Sequence, residues 1–161
     1  MTLALLLAGQ VSAGDLKANP RNTKAPELIL NDLAGKKHQL TQYRGQVVLV
    51  NFWATWCPPC RAEMPSIWRL QQKLKGRPFQ VITVNLGETR ETIAAFLPEQ
   101  MQRDFVSLID SDSTSLGRWK VTALPATYLI DRQGRIAYSI YGAVEWDKPT
   151  SVDRVNRLLA E

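Results

Sequence analysis

This chain of 161 residues has only two cysteines and one histidine. The low cysteine count excludes a multi-disulfide scaffold. A structural zinc site would need two ligands beyond Cys57 and Cys60, and the only other candidate is the distant His38. A c-type haem would need histidine directly after the second cysteine, where Arg61 stands. No apolar stretch approaches the roughly 20 residues needed to cross a bilayer. Basic runs are missing as well. The net charge of +5 comes from lysines and arginines scattered along the chain, so there is no nucleic-acid arm and the charge reads as solvated surface. A weak attraction to acidic partners or membrane surfaces stays open. There is no internal repeat, and the length suits one domain able to bury its own core.

The N-terminus carries a short apolar run, Leu3-Ala4-Leu5-Leu6-Leu7-Ala8, followed by Val11-Ser12-Ala13, which suits a small-residue cleavage site. The run is shorter than a normal signal core, and no Lys or Arg precedes it. Residues 1–13 therefore read as a signal peptide, the remnant of a membrane anchor, or an unstructured tail; the first two imply export. Residues 14–26 are polar, contain Gly14, Pro20 and Pro26, and read as a linker. The compact domain is expected over 27–161.

Within it, Leu28 to Leu40 suggests a small hairpin. Val47-Val48-Leu49-Val50-Asn51-Phe52-Trp53 is nearly all apolar, as a central strand covered on both faces would be. A helix is expected from Pro58 to about Lys75, because Cys60, Met64, Ile67, Leu70 and Leu74 recur at helical spacing, and Gly76 closes it. Phe79 to Leu86 is the next strand, parallel to the previous one across a βαβ unit. Thr89 caps a helix bearing Ile93, Phe96 and Leu97. A short strand at Phe105–Ile109 and a short helix at Ser113–Lys120 follow. Ala126–Asp131 and Arg135–Tyr141 form an antiparallel hairpin with Ile136, Tyr138 and Ile140 toward one face. Thr150 or Ser151 caps a last helix carrying Val152, Val155, Leu158 and Leu159. The fold class is α/β, a mixed central sheet with helices on both faces.

The chemistry-bearing motif is Trp56-Cys57-Pro58-Pro59-Cys60. A strand that delivers Cys57 to a helix N-terminus places its sulfur where the dipole favours thiolate, the reactive form. Residues three apart in a first helical turn are close enough to form a disulfide. Cys60 falls on the apolar face and is expected to be the less exposed thiol. Cys57 then attacks a partner disulfide, and Cys60 resolves the mixed disulfide. Pro58 and Pro59 are tolerated at a helix start but have no N–H. Their thiolate is less stabilised, so the pair leans toward reduction. A static structural disulfide is the bland alternative.

The run from Val50 to Pro65, together with Leu124-Pro125-Ala126-Thr127-Tyr128-Leu129-Ile130-Asp131 and Gly134, resembles the thioredoxin superfamily. More narrowly it resembles the extracytoplasmic TlpA/ResA-like thiol–disulfide oxidoreductases, over about Glu27 to Leu159. That resemblance implies a thioredoxin fold with an N-terminal β-hairpin extension and a central helical insertion over Gly87–Arg103. It implies an enzyme without cofactor or metal, located in the periplasm or otherwise outside the cytoplasm, either free or tethered to the membrane. Electrons would come from a membrane thiol reductant and go to protein disulfides such as those of apocytochrome c, copper-site cysteines or misoxidised proteins. By the same resemblance Trp56 packs beside the reactive thiol. Pro125, read alone an ordinary trans proline, becomes a cis-proline that with Leu124 holds the partner's backbone. Pro65 is a helix-kinking structural residue beside the structural pair Pro58 and Pro59. Glu63 matches an acidic residue of this branch, whose alternatives are a proton relay and a solvated helix residue. Asn51 stands where thioredoxin has a buried Asp and cannot exchange a proton, which leaves Glu63 as the substitute. Trp119 and Trp146 read as core rather than partner groove.

Rival readings are a disulfide oxidant or isomerase on the same fold, separated by reduction potential, and a copper metallochaperone, which would space its cysteines more widely and place a histidine after them. A peroxidase would need a Thr-x-x-Cys nucleophile, whereas here Thr55 is two residues before Cys57.

Overall fold

The structure is a computed structural model that describes residues 17–19 and 23–161; the expected signal or anchor segment at 1–13 lies outside the described residues. Its centre is β4 (Val47–Trp53), with all seven residues buried, as an apolar strand covered on both faces requires. Because side chains alternate along a strand, Val47, Leu49 and Trp53 enter one core and Val48, Val50 and Phe52 the other. Asn51 shares the parity of the first set, and this decides which helix it meets.

β5 (Phe79–Leu86) and β6 (Val106–Asp110) continue the sheet parallel to β4, and β7 (Ala126–Ile130) and β8 (Ile136–Tyr141) continue it antiparallel on the other side. The expected hairpin is β2 (Ile29–Asp32) with β3 (Lys37–Gln39), joined antiparallel to β6. With β1 (Lys17–Ala18) the eight-stranded order is β1-β8-β7-β4-β5-β6-β2-β3.

α1 (Pro58–Lys73) crosses from β4 to β5 and buries Cys60, Glu63, Met64, Ser66, Ile67 and Leu70 against one face. Fully burying a side chain such as Ile67 or Leu70 contributes roughly 1.5–3 kcal/mol. α2 (Arg90–Phe96), α3 (Glu99–Asp104) and α5 (Pro149–Ala160) share that face, and α4 (Ser115–Trp119) with a 3-10 turn at Leu40–Tyr43 covers the other. This is the α/β thioredoxin fold with helices on both faces. Trp119 and Trp146, expected in the core, are buried there at 3% and 0% exposure.

Several local expectations need correction. The stretch expected as a linker over residues 14–26 is, where described, attached to the sheet. Lys17 and Ala18 pair with β8, the Asn19 N–H donates to the Ala137 carbonyl (2.8 Å), the Ala25 N–H to Gly134 (3.0 Å), and Ala25 is buried. Ile136 does not share a face with Tyr138 and Ile140. A register shift opposite Leu129 and Ile130 places Ile136 against the α4 side and the other two against the α1 side. The insertion holds two helices, not one: the extended Leu97-Pro98 step stops α2, and Pro98 precedes α3. α5 begins after Lys148 with Pro149 in its first turn, so neither Thr150 nor Ser151 caps it; the Ser151 hydroxyl instead donates to the Glu145 carbonyl (3.2 Å).

Candidate active site

Three parallel strands end at one edge of the sheet, and the dithiol lies there. Cys57 is the extended residue immediately before α1, and Pro58 and Pro59 occupy the first helical positions. Cys57 and Cys60 form a disulfide with Cα atoms 5.3 Å apart, within the range such a bond requires. Cys57 is 4% exposed and Cys60 0%, the order expected for an attacking and a resolving thiol. Of the first-turn donors, the prolines have none and the Arg61 N–H goes to the Cys57 carbonyl (3.1 Å). The Cys60 N–H is therefore the one first-turn donor left for a Cys57 thiolate.

Cys57 opens into a groove of about 680 Å³ lined by Trp56, Pro58, Pro59, Leu86, Leu116 and Leu124, among others, none of them charged. Trp56 is 69% exposed, an unusual degree for a large apolar side chain. The Leu124-Pro125 peptide is cis. Leu124 lines the groove, while Pro125 is buried and its carbonyl accepts the Gly142 N–H (2.9 Å). Pro65 lies on the exposed side of α1, inside the helix.

Glu63 is not a solvated helix residue. It occupies the buried stripe of α1 at 3% exposure. Its Oε1 accepts from Asn51 Nδ2 (2.7 Å), and its Oε2 accepts from the Val144 N–H (3.1 Å) and from Trp146 Nε1 (3.3 Å). The Asn51 amide also donates to Thr127 Oγ1 (2.9 Å). Burial pushes the Glu63 carboxyl up to about 7 against the pull of these donors. The structure thus sets Glu63 and Asn51 together one helical turn beyond Cys60, away from the groove. His38 has no part in this region. It sits on the outermost hairpin, between Asp32 Oδ2 (2.7 Å) and the Tyr43 hydroxyl (2.6 Å).

The sequence reading missed Glu88. Its Oε2 accepts the Thr55 N–H (2.8 Å) and Asn85 Nδ2 (2.7 Å), and its Oε1 accepts the Thr55 hydroxyl (2.5 Å). Burial opposes ionisation, but these hydrogen bonds outweigh it and hold the Glu88 carboxyl below the ordinary range. Glu88 thereby fastens the turn that presents Trp56 and Cys57. The available signal was topological: a residue just past β5 must lie beside the end of its parallel neighbour β4.

Residues 22–139 match the AhpC/TSA family. The chain is 38% identical over 120 residues to thiol-disulfide oxidoreductase ResA of Geobacillus thermodenitrificans, covering 74% of this chain and 68% of that protein. ResA of Bacillus cereus is 35% identical over 119 residues, with the same coverage. Among solved structures, a thiol:disulfide interchange protein DsbE from Chlorobium tepidum aligns with TM-score 0.75 and 28% identity, over 90% of this chain and 99% of that one. A secreted thiol-disulfide isomerase from Corynebacterium glutamicum aligns with TM-score 0.77 over 96% of each chain; at 21% identity it shows the shared fold alone.

Proposed function

The chain belongs to the AhpC/TSA family and is a thiol–disulfide oxidoreductase on a thioredoxin fold, and we propose that it works outside the cytoplasm as a reductase of protein disulfides. The carrying observation is the thin supply of donors at Cys57. Two prolines and one committed N–H leave a single first-turn donor for its thiolate. A poorly stabilised thiolate gives up electrons readily, which makes the dithiol the favoured reductant of the pair.

Cys57 attacks a partner disulfide and holds half of it as a mixed disulfide. Trp56 and Leu124, with the backbone at Pro125, hold the partner's chain along the groove. Cys60 then loses its proton to Glu63, attacks the Cys57 sulfur and frees the reduced partner. Asn51 carries no exchangeable acid, whereas Glu63 is buried on the same helical stripe as Cys60 and titrates near neutrality, where a proton acceptor is most useful. A membrane thiol reductant restores the dithiol. Work outside the cytoplasm is supported by the short apolar run ahead of Val11-Ser12-Ala13. No helix among the described residues is long and apolar enough to cross a membrane.

Redox titration against glutathione tests the direction. The expected potential lies near the roughly −270 mV of thioredoxin; a value near the roughly −120 mV of the strong oxidant DsbA would make the protein an oxidant instead.

A further inference from the structure

Glu63 meets a different opening from the one Cys57 meets. A cleft of about 440 Å³ between α1 and the segment joining β8 to α5 is lined by Glu63, Ser66, Val144, Lys148 and Arg154, among others. It has no lining residue in common with the groove at the dithiol. The two oxygens of Glu63 are also differently placed. Oε1 is bound to Asn51, which is 0% exposed, while Oε2 is bound to Val144 and Trp146, and Val144 is itself part of the cleft wall.

We propose that this cleft is the proton exit of the dithiol: Glu63 receives the Cys60 proton on the inner side and releases it to water in the cleft, so that the mixed disulfide resolves while the partner still covers the groove. This rests on the role given to Glu63 above.

The need follows from burial. Cys60 is 0% exposed, and Cys57 opens into the groove that a covalently held partner fills. A proton leaving by that route would have to pass through the complex. In the proposed step the Cys60 S–H proton moves to the Glu63 carboxylate and the resulting thiolate attacks the Cys57 sulfur. The Cys57–partner S–S bond breaks as the Cys57–Cys60 bond forms. The partner leaves as a thiolate that takes a proton from water, two electrons having passed to it from the dithiol. Glu63 then loses its proton to the cleft and is reset.

The surroundings suit both halves of that exchange. Glu63 shares the buried side of α1 with Cys60, and Arg69 stands at the cleft rim; from β4 the neutral Asn51 donates to Glu63 and also to Thr127 of β7. The β8–α5 segment adds Glu145 and Lys148, and α5 adds Arg154. Arg69 is held by Asp147 (2.7 Å), and Lys148 lies 3.6 Å from Glu145. Burial favours proton uptake, while the hydrogen bonds from Val144, Asn51 and Trp146 favour the released, ionised state. A carboxyl balanced near 7 can do both close to neutral pH. The floor of the cleft is fixed, because the Ser66 hydroxyl donates to the Glu63 carbonyl (2.8 Å) and accepts the Trp146 N–H (3.1 Å).

Filling the cleft tests this. Ala62 and Thr150 are exposed, line opposite walls and make no side-chain hydrogen bond in the site. Ala62→Phe and Thr150→Phe, each checked for folding by circular dichroism, are made in the full chain, and either suffices if the other misfolds. The reduced proteins are mixed with a disulfide-bonded peptide of about a dozen residues, long enough to lie along the groove, or with bis(2-hydroxyethyl) disulfide, which leaves it open. Acid quench and mass spectrometry follow formation and decay of the Cys57 adduct. The expected result is unchanged formation, with decay of the peptide adduct slowed roughly tenfold or more and decay of the small adduct little affected. Wild-type decay in both filled variants, with slow decay in Glu63→Gln, overturns the cleft and leaves the Glu63 role standing. Equal slowing with both disulfides also overturns the cleft. Wild-type decay in Glu63→Gln removes the Glu63 role and the cleft with it.

Discussion

Replacing Glu63 with Gln removes a buried ionisation while keeping the shape of the side chain, and the effect on stability has a calculable pH dependence. Burial raises the folded-state pKa of Glu63 from 4.5 to about 7, with the Val144, Asn51 and Trp146 donors pulling the other way. The native protein therefore holds this proton more tightly than the unfolded chain does. Its contribution to stability is fully present below about pH 4.5 and is lost as pH rises through about 7. A shift of this size corresponds to about 3 kcal/mol over that window. Gln cannot ionise and lacks this dependence. It will carry a constant penalty, since its amide N–H₂ faces groups that are themselves donors. That penalty cancels when the difference between variant and wild type is compared across pH. Urea denaturation of both oxidised proteins at several pH values from 4 to 8 reads the quantity directly. The stability of Glu63→Gln relative to wild type should improve by about 3 kcal/mol across the window. Parallel curves would mean that Glu63 titrates as an ordinary surface carboxyl, and its assignment as proton acceptor would lose its physical basis.

Removing the resolving thiol in Cys60→Ala should leave partner proteins linked to Cys57, visible as adducts on non-reducing gels and released by dithiothreitol; a clean monomer band in the presence of substrate would contradict the mechanism. Trp146→Phe keeps an aromatic ring in the core but withdraws the indole N–H from Glu63, so the pH midpoint of Glu63, followed by its carbonyl infrared band, should rise by up to about one unit. Glu88→Ala unties Thr55 and Asn85 and should cost roughly 1–3 kcal/mol while slowing attack by Cys57 on small disulfides; unchanged kinetics would deny Glu88 any part in presenting the thiol. Ile67→Ala, at a site with 0% exposure, should cost roughly 2–5 kcal/mol in denaturant melts.

The parts of this molecule readable from sequence are those encoded by local repetition. The uninterrupted apolar run at Val47–Val50 marks a strand buried on both faces, and the spacing of Cys60, Met64, Ile67 and Leu70 marks the face of α1 that meets it. Glu63 lies on that same stripe, so its burial was implied by the pattern that buried Cys60. Its partners were not, because Val144 and Trp146 are 81 and 83 positions away in the chain and reach it only through the return of β8. The brace from Glu88 to Thr55 spans 33 positions and depends on two parallel strands ending together. Alternation along β8 failed at Ile136 because a register shift alters which face a residue meets, and no composition rule marks where that shift falls. The polar stretch before Glu27 has loop composition, yet its backbone pairs with a neighbouring strand, and main-chain pairing leaves little trace in residue type.

That pairing bears on self-association. An outermost strand offers a row of free N–H and C=O groups to any extended chain, including another copy of itself. Here the N-terminal part of the chain occupies both flanks of the sheet: Lys17–Ala18 lies along β8 on one side, and the β2–β3 hairpin lies beside β6 on the other. A truncation placed at Glu27 would keep the hairpin and the dithiol but bare the outer side of β8, whose Ala137 carbonyl and Ile136 N–H are now satisfied by Asn19 and Thr23. Such a shortened protein should retain its redox chemistry in dilute solution yet dimerise or aggregate as its concentration rises. The residues that look most dispensable for catalysis are the ones that cover this flank of the sheet.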